Sequence, residues 1–224
     1  MLLRIVTQNL WFDSHQREAR MQAHAAHWQE LQPDVIAVQE ATLACLRPLL
    51  PLLGDWHSTV SLESPAQWQG VAVFSKEKPQ RVDMLPLPGQ MGRRFLRVGW
   101  EHLEIGVVHL ESTASAGPTR AAQLESLASQ WTQPDCLLLG DFNFCSTSSE
   151  NGGLPSDFVD LWPALHPNDP GWTLDSQRNG LLRGSKQARY DRMLLRSRAW
   201  ACRSLQLSQS NGSDHFGLVA DLEK

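Results

Sequence analysis

Six short polar segments in this 224-residue chain each place an Asn, Asp, Glu or His at the end of, or just past, a β-rich apolar run. They are Thr7-Gln8-Asn9, Gln39-Glu40, His109-Leu110-Glu111-Ser112-Thr113, Gly140-Asp141-Phe142-Asn143, Tyr190-Asp191-Arg192 and Ser213-Asp214-His215. Strand ends that converge on one rim of a sheet are where sites are usually built. Carboxylates, carboxamides and imidazoles in such a set can hold a hard cation, orient and deprotonate a water, and donate hydrogen bonds to a growing negative charge.

Taken singly, each segment has an ordinary explanation. A Gly-Asp-x-Asn match is expected by chance at about one position in 8,000 for equal residue frequencies, and Gly140-Asp141 alone reads equally well as a turn. Glu40 alone is a solvated strand exit, His109 alone a core histidine, and Ser213-Asp214 the end of a loop. Jointly these explanations fail, because they require five independent accidents in a fixed order.

The elements that must position these residues follow from periodicity. Leu2 to Asn9 reads as a buried strand, and residues 14 to 31 carry Met21, Ala25, Trp28 and Leu31 at helical spacing before Pro33. Val35 to Val38 is a β-branched run ending in Gln39-Glu40. Leu43 to Leu53 predicts a helix interrupted by Pro48 and Pro51. Further strands are expected at 70–75, 80–85, 94–100 and 103–110, the last two joined by a tight hairpin at Glu101-His102. Pro118 opens a helix whose face is Ala121, Leu124, Ala128 and Trp131, followed by a strand at 136–139. Residues 141 to 156 read as a surface loop and 180 to 189 as a second mobile stretch, with strands at 190–196, 200–207 and 216–222. No repeat of fixed period is present. Short strands broken by about three helices fit a four-layer α/β sandwich, with two packed, mainly antiparallel sheets flanked by helices.

Composition fits one domain over residues 1–224. Hydrophobic residues make up 42% and charged residues 20%, close to the globular average and unlike disordered or fibrous chains. The net charge of −4 gives no global attraction to nucleic acid, so a polyanion must be drawn by a local patch or a bound metal. Cys45, Cys136, Cys145 and Cys202 have neither C-x-x-C spacing nor the density of a disulfide scaffold, which suggests a reducing, cytoplasmic setting. No stretch is long enough to cross a bilayer, so no membrane association is expected. Cleavage of a leader of typical length would also remove Asn9. Trp28, Trp56, Trp100, Trp131, Trp162 and Trp200 sit among apolar residues and are expected in the core.

The ordered motifs resemble the endonuclease/exonuclease/phosphatase family, whose members include deoxyribonuclease I, the abasic-site endonucleases and the inositol polyphosphate 5-phosphatases. The likeness spans residues 7 to 217. Within the family it is closest to the 5′-tyrosyl-DNA phosphodiesterases. His109-Leu110-Glu111-Ser112-Thr113 looks like their third motif, and Trp172-Thr173-Leu174-Asp175 and Arg189-Tyr190-Asp191-Arg192 are similar to their Thr-Trp-Asp and Arg-Phe-Asp-Arg segments. Two positions depart: Gln8 stands where those enzymes usually have Trp, and Ala114 where they have an Arg that would help hold phosphate or DNA.

The resemblance implies a Mg²⁺-dependent phosphodiesterase, with Mn²⁺ as a substitute, acting as a monomer on nucleic acid ends such as 5′-phosphotyrosyl DNA adducts. A hard cation takes oxygen ligands, which suits Glu40 as principal ligand, Asp214 as a further carboxylate, and Asn9 as the carboxamide that fixes Glu40 or a water on the metal. Asp141 would act from the opposite side of the phosphate, as proton acceptor or chiefly as an orienting group, with Asn143 holding the water or a phosphate oxygen. His109 and His215 would donate to the non-bridging oxygens, and Asp191 would set the tautomer of His215. Ser112, Trp172, Asp175 and Arg189 fall at the substrate rim, Trp172 either stacking on a ring or closing the core. Arg93, Arg94, Arg183, Lys186 and Arg189 form either a phosphate track or a solvated surface. The competing functions are cleavage of RNA ends or small phosphoesters such as 2′,3′-cyclic phosphates, and a binding module that has lost its chemistry. Neither a leader nor an exposed aromatic hairpin is identifiable, which disfavours a sphingomyelinase-like activity.

Overall fold

The computed structural model describes residues 1–61, 70–208 and 212–224. The chain opens with β1 (Leu2–Asn9), α1 (Arg17–Leu31), β2 (Val35–Gln39), α2 (Leu43–Leu53), β3 (His57–Ser58) and β4 (Val71–Ser75). It continues through β5 (Arg81–Pro86), β6 (Arg94–Gly99), β7 (Glu104–His109), α3 (Gly117–Ala128) and β8 (Cys136–Asp141). It closes with β9 (Val159–Asp160), α4 (Leu161–Leu165), β10 (Leu174–Asp175), β11 (Gln187–Ala188), β12 (Asp191–Arg196), β13 (Ala201–Ser208) and β14 (Gly217–Glu223).

Among the described residues the strands form two six-stranded sheets, ordered β13-β14-β1-β2-β4-β3 and β5-β6-β7-β8-β12-β9, and a separate β10-β11 pair. Each sheet is antiparallel except for one parallel pair, β1 with β2 and β7 with β8. A parallel neighbour needs a crossover, and α1 and α3 supply one each. Between the sheets lies an apolar core that includes Ile5, Val73, Leu96, Ile105, Leu137, Leu139 and Met193. Outside the first sheet, Met21, Ala25 and Trp28 of α1 and Cys45, Leu46 and Leu49 of α2 pack on Val6, Ile36 and Phe74. Outside the second, Leu124 and Leu127 of α3 pack on Val108, Leu138 and Phe142. The result is the expected helix, sheet, sheet, helix sandwich.

One expectation needs correction. Pro48 and Pro51 do not interrupt α2, which runs unbroken from Leu43 to Leu53. Each proline removes one intrahelical donor. Burial of Cys45, Leu46 and Leu49 offsets this, and Thr42 caps the N-terminus by accepting from the Cys45 amide at 3.3 Å. The two-residue strands β3, β9, β10 and β11 and the single turn α4 had no periodic signal to betray them. The 101–102 hairpin is present, with Gly99 paired to Glu104. Among the described residues no helix is long and apolar enough to cross a membrane.

Candidate active site

Strand direction gathers the polar segments. Parallel pairing sets Asn9 beside Gln39 and His109 beside Asp141. β12 runs antiparallel to β8, so its first residue, Asp191, pairs with Asp141, the last residue of β8. β14 runs antiparallel to β1, with Thr7 opposite Leu218, which brings Ser213-Asp214-His215 to the end of β1 that carries Asn9. Both sheets thus deliver their polar residues to one rim. Gly140 makes this possible at β8: its φ is 127°, and a Cβ there would lie 2.1 Å from the Val108 carbonyl oxygen.

Asn9 joins the two sheets. Its Nδ2 donates to Asp141 Oδ2 at 3.0 Å and to Glu40 Oε1 at 3.4 Å, while its Oδ1 accepts from the Trp11 amide at 2.9 Å. Glu40 Oε2 accepts from the Phe12 amide at 2.6 Å. Asp141 Oδ1 accepts from the Asn143 amide at 2.8 Å, and Asn143 Nδ2 donates to the Leu110 carbonyl at 2.9 Å. His109 Nε2 lies 3.5 Å from Asp141 Oδ2. The other ring nitrogen of His109 is 2.8 Å from Arg93 Nη1; a guanidinium can only donate, so His109 Nδ1 accepts and its proton sits on Nε2, facing Asp141.

His215 Nδ1 is 2.8 Å from Asp191 Oδ2. Burial works against a charged His215 ring, yet the charge and hydrogen bond of Asp191, with the charges of Asp141 and Asp214, hold its pKa well above the ordinary histidine value. Asp191 is itself fixed by Thr173, whose Oγ1 accepts from the Tyr190 and Asp191 amides, both at 3.1 Å. Gln8, at the position of the expected Trp, donates to the carbonyls of Asn9 and His215 and ties β1 to the last loop. Burial is the largest influence on Glu40 and on Asp214 and pushes both carboxyl groups up, with the charge of Asp141 adding to each.

Exposure separates the residues. Asn9, Asp141 and Asp191 are each 1% exposed, whereas Glu40, Asp214 and Asn143 are half-buried, which marks the side from which solvent and ligand reach the cluster. Ligand atoms of Asp141, Asp191 and His215 all lie within 4.8 Å of one another. Because Asp191 and His215 already share a hydrogen bond, two of these three groups are engaged with each other, and the half-buried oxygens of Glu40 and Asp214 suit a hard cation better. Among the described residues, no Lys or Arg forms an ion pair with Glu40, Asp141, Asp191 or Asp214. Asp191 has the charged His215 ring as its partner, and the remaining carboxyl groups, Glu40, Asp141 and Asp214, form an environment that a divalent oxygen-seeking ion would relieve. The cavity of about 350 Å³ floored by Trp100 and Trp200 opens at the other end of the strands, beside Met1–Leu3, and contains none of these groups.

The rim residues expected from sequence fare differently. Ser112 and Trp172 are half-buried, Ser112 Oγ lying 3.3 Å from Met91 Sδ. Asp175 is buried, its Oδ1 accepting from the Gln177 amide at 3.0 Å and Gln187 Nε2 at 3.2 Å, so it secures the β10–β11 hairpin. Arg189 grips Asp160 with both terminal nitrogens at 2.8 Å. Arg183 and Lys186 are exposed, the latter over the Tyr190 ring at 4.3 Å. Arg93, which the sequence allows on either a phosphate track or a solvated surface, is buried and bonded to His109, and the role of Thr173 has no signal in the segment that contains it.

A family model described as the Endonuclease/Exonuclease/phosphatase family matches residues 6–215. No curated protein matches the chain by sequence. Among solved structures, TDP2 from D. rerio complexed with single strand DNA product is similar at 21% identity and TM-score 0.85, covering 100% of this chain and 99% of that one. TDP2 from Caenorhabditis elegans is similar at 19% identity and TM-score 0.83, covering 100% and 75%. Sphingomyelinase C from Streptomyces griseocarneus is similar at 20% identity and TM-score 0.74, covering 99% of each chain.

Proposed function

Because the chain belongs to the Endonuclease/Exonuclease/phosphatase family, we propose that it is a Mg²⁺-dependent phosphodiesterase that hydrolyses phosphoester bonds at nucleic acid ends. The observation that carries this reading is the convergence of Asn9, Glu40, His109, Asp141, Asp191 and His215 on one rim from both sheets. The oxygen-rich donor set fits Mg²⁺, with Mn²⁺ as a substitute. Glu40 and Asp214 would hold the ion, and Asn9 would keep the Glu40 carboxylate in place. The bound ion would neutralise the phosphate and stabilise the leaving oxygen.

Asp141 is held by the Asn143 amide on one oxygen and by Asn9 on the other, so its carboxylate is fixed in direction and suited to orient a water and take its proton. Asn143 spends its Nδ2 on the Leu110 carbonyl, which leaves its Oδ1 to steady that water. Asp191 favours the charged His215 ring and occupies Nδ1, directing the Nε2 proton toward a non-bridging oxygen. His109, with its proton on Nε2, is a second donor of the same kind. Ser112 and Trp172 remain the candidates for contact with the remainder of the substrate; Asp175 and Arg189 would act there through the hairpin and the Asp160 pair that hold them.

A nucleic acid substrate is supported by the likeness to a structure described as complexed with single strand DNA product. A 5′-phosphotyrosyl DNA adduct is the specific substrate we favour, which implies a role in repair of DNA ends. Residues 1–224 would work as one monomeric domain, in a reducing cytoplasmic setting consistent with four free cysteines. A second reading, cleavage of RNA ends or small phosphoesters such as 2′,3′-cyclic phosphates, is favoured by Ala114 and by the engagement of Arg189 with Asp160; both leave less cationic grip beyond a single phosphate. The test is a panel of phosphotyrosyl DNA, abasic DNA, cyclic-phosphate RNA and inositol phosphate, each with and without Mg²⁺. Metal-dependent cleavage of phosphotyrosyl DNA above the others is expected, and no metal-dependent cleavage of any of them would overturn the proposal.

A further inference from the structure

Trp11 adopts a backbone conformation that suits it poorly. Its φ is 55°, in the left-handed region where a bulky side chain is strained and Gly or Asn would sit more easily. Core packing does not offset the strain, because the indole is half-buried and belongs to none of the three apolar clusters. The backbone contacts do not require it either. The Trp11 amide caps Asn9 Oδ1 and the next amide clips Glu40 Oε2, and an amide from any residue would do both.

The ring is nonetheless given a rigid support. The Arg20 guanidinium carbon lies 4.5 Å from the ring centroid. That guanidinium is buried and donates to five carbonyls, those of Leu10, Trp11, Asp13, His15 and Gly212, with no carboxylate among its hydrogen-bond partners. Gly212 directly precedes Ser213-Asp214-His215, so one side chain anchors the ring to both loops that flank the cluster. The ring's other aromatic neighbour is the exposed His15, tilted by 49° at 6.4 Å, a loose contact that a ligand can displace.

A strained aromatic residue, two positions from Asn9 and backed by an immobilised cation, is expected where it meets substrate. We propose that Trp11 is a substrate-contact residue whose indole stacks on the planar aromatic group flanking the scissile phosphate. That group is a nucleobase or an aryl adduct such as tyrosine; base stacking tolerates any sequence. The inference rests on the phosphodiesterase reading and deepens it.

The test uses Trp11→Gly and Trp11→Asn, both of which fit the left-handed backbone, on three oligonucleotides: one whose scissile phosphate is flanked by a base, one by tyrosine, and one by an aliphatic spacer. The expected result is about a tenfold loss of kcat/KM on at least one aromatic substrate, less than a twofold change on the spacer substrate, and an unchanged or higher Tm. Which aromatic substrate suffers identifies the stacked group. Equal losses on all three, or none, would overturn the inference. If the wild type cleaves nothing, the phosphodiesterase reading fails separately. Fluorescence anisotropy with the same oligonucleotides then decides: about tenfold weaker binding of an aromatic-flanked strand alone upholds the contact, and equal affinities remove it.

Discussion

Asp191→Asn replaces a carboxylate that is 1% exposed and only 2.8 Å from His215 Nδ1 with a neutral amide of the same shape. A hydrogen bond to a charged partner contributes about 1.5–3 kcal/mol. If that contribution is made in the transition state, its loss lowers kcat roughly 10- to 100-fold at neutral pH. The pH profile gives the sharper check. Asp191 is the leading influence that holds His215 charged against the effect of burial, so the variant should lose activity at lower pH on the alkaline side than the wild type. Stability follows with its own sign. A histidine whose folded pKa is raised contributes stability that is fully present below its unfolded value of about 6.5 and disappears as pH rises through the folded value. In chelator, the wild type should therefore exceed Asp191→Asn in Tm most at acidic pH, and the gap should close on the alkaline side. Stopped-flow cleavage across pH, alongside thermal melts, reads both quantities. An unchanged alkaline limb with an unchanged Tm gap would refute the role assigned to Asp191.

Burial raises the Glu40 pKa, so a destabilisation of the metal-free fold grows as pH rises from the unfolded value of about 4.3 and is complete above the folded one; Glu40→Gln should then raise Tm in chelator by about 2–4 °C for each kcal/mol relieved. The same variant should bind Mn²⁺ at least about tenfold more weakly by calorimetric titration and lose most activity. Gly140→Ala drives a methyl group onto the Val108 carbonyl at a φ of 127°, and should cost about 2 kcal/mol or more, visible as a lower urea midpoint at unchanged slope. Thr173→Val leaves the Tyr190 and Asp191 amides without their shared acceptor and should cost about 1–3 kcal/mol in the same assay.

Much of this site could be read in the sequence because strands expose chemistry at their ends: an apolar run followed abruptly by Asn9, Glu40 or Asp141, and His215 at the head of the run 216–222, are visible without coordinates. The layers followed from the same runs, since helical periods at 14–31, 43–53 and from Pro118 broke up the series of short buried strands. What could not be read was set by tertiary partners. Arg20 lies on a helix where a charged residue ordinarily faces water, yet it is 3% exposed and grips five carbonyls. Arg93 looked like one of a basic cluster until its bond to His109 fixed the ring's tautomer. Asp175 and Arg189 were placed at the rim by resemblance, whereas each meets a partner within the fold that no spacing rule reveals. The helix through Pro48 and Pro51 survives because burial outweighs two missing donors, a balance that local propensity does not contain.

The central claim is that Asp141 acts on a water held beside a metal-bound ester, and single-turnover cleavage by Asp141→Asn tests it most directly when Mg²⁺ affinity is measured on the same preparation. The account predicts at least a thousandfold loss, about 4 kcal/mol of barrier, with metal affinity kept within about threefold. Cleavage at the wild-type rate would contradict it.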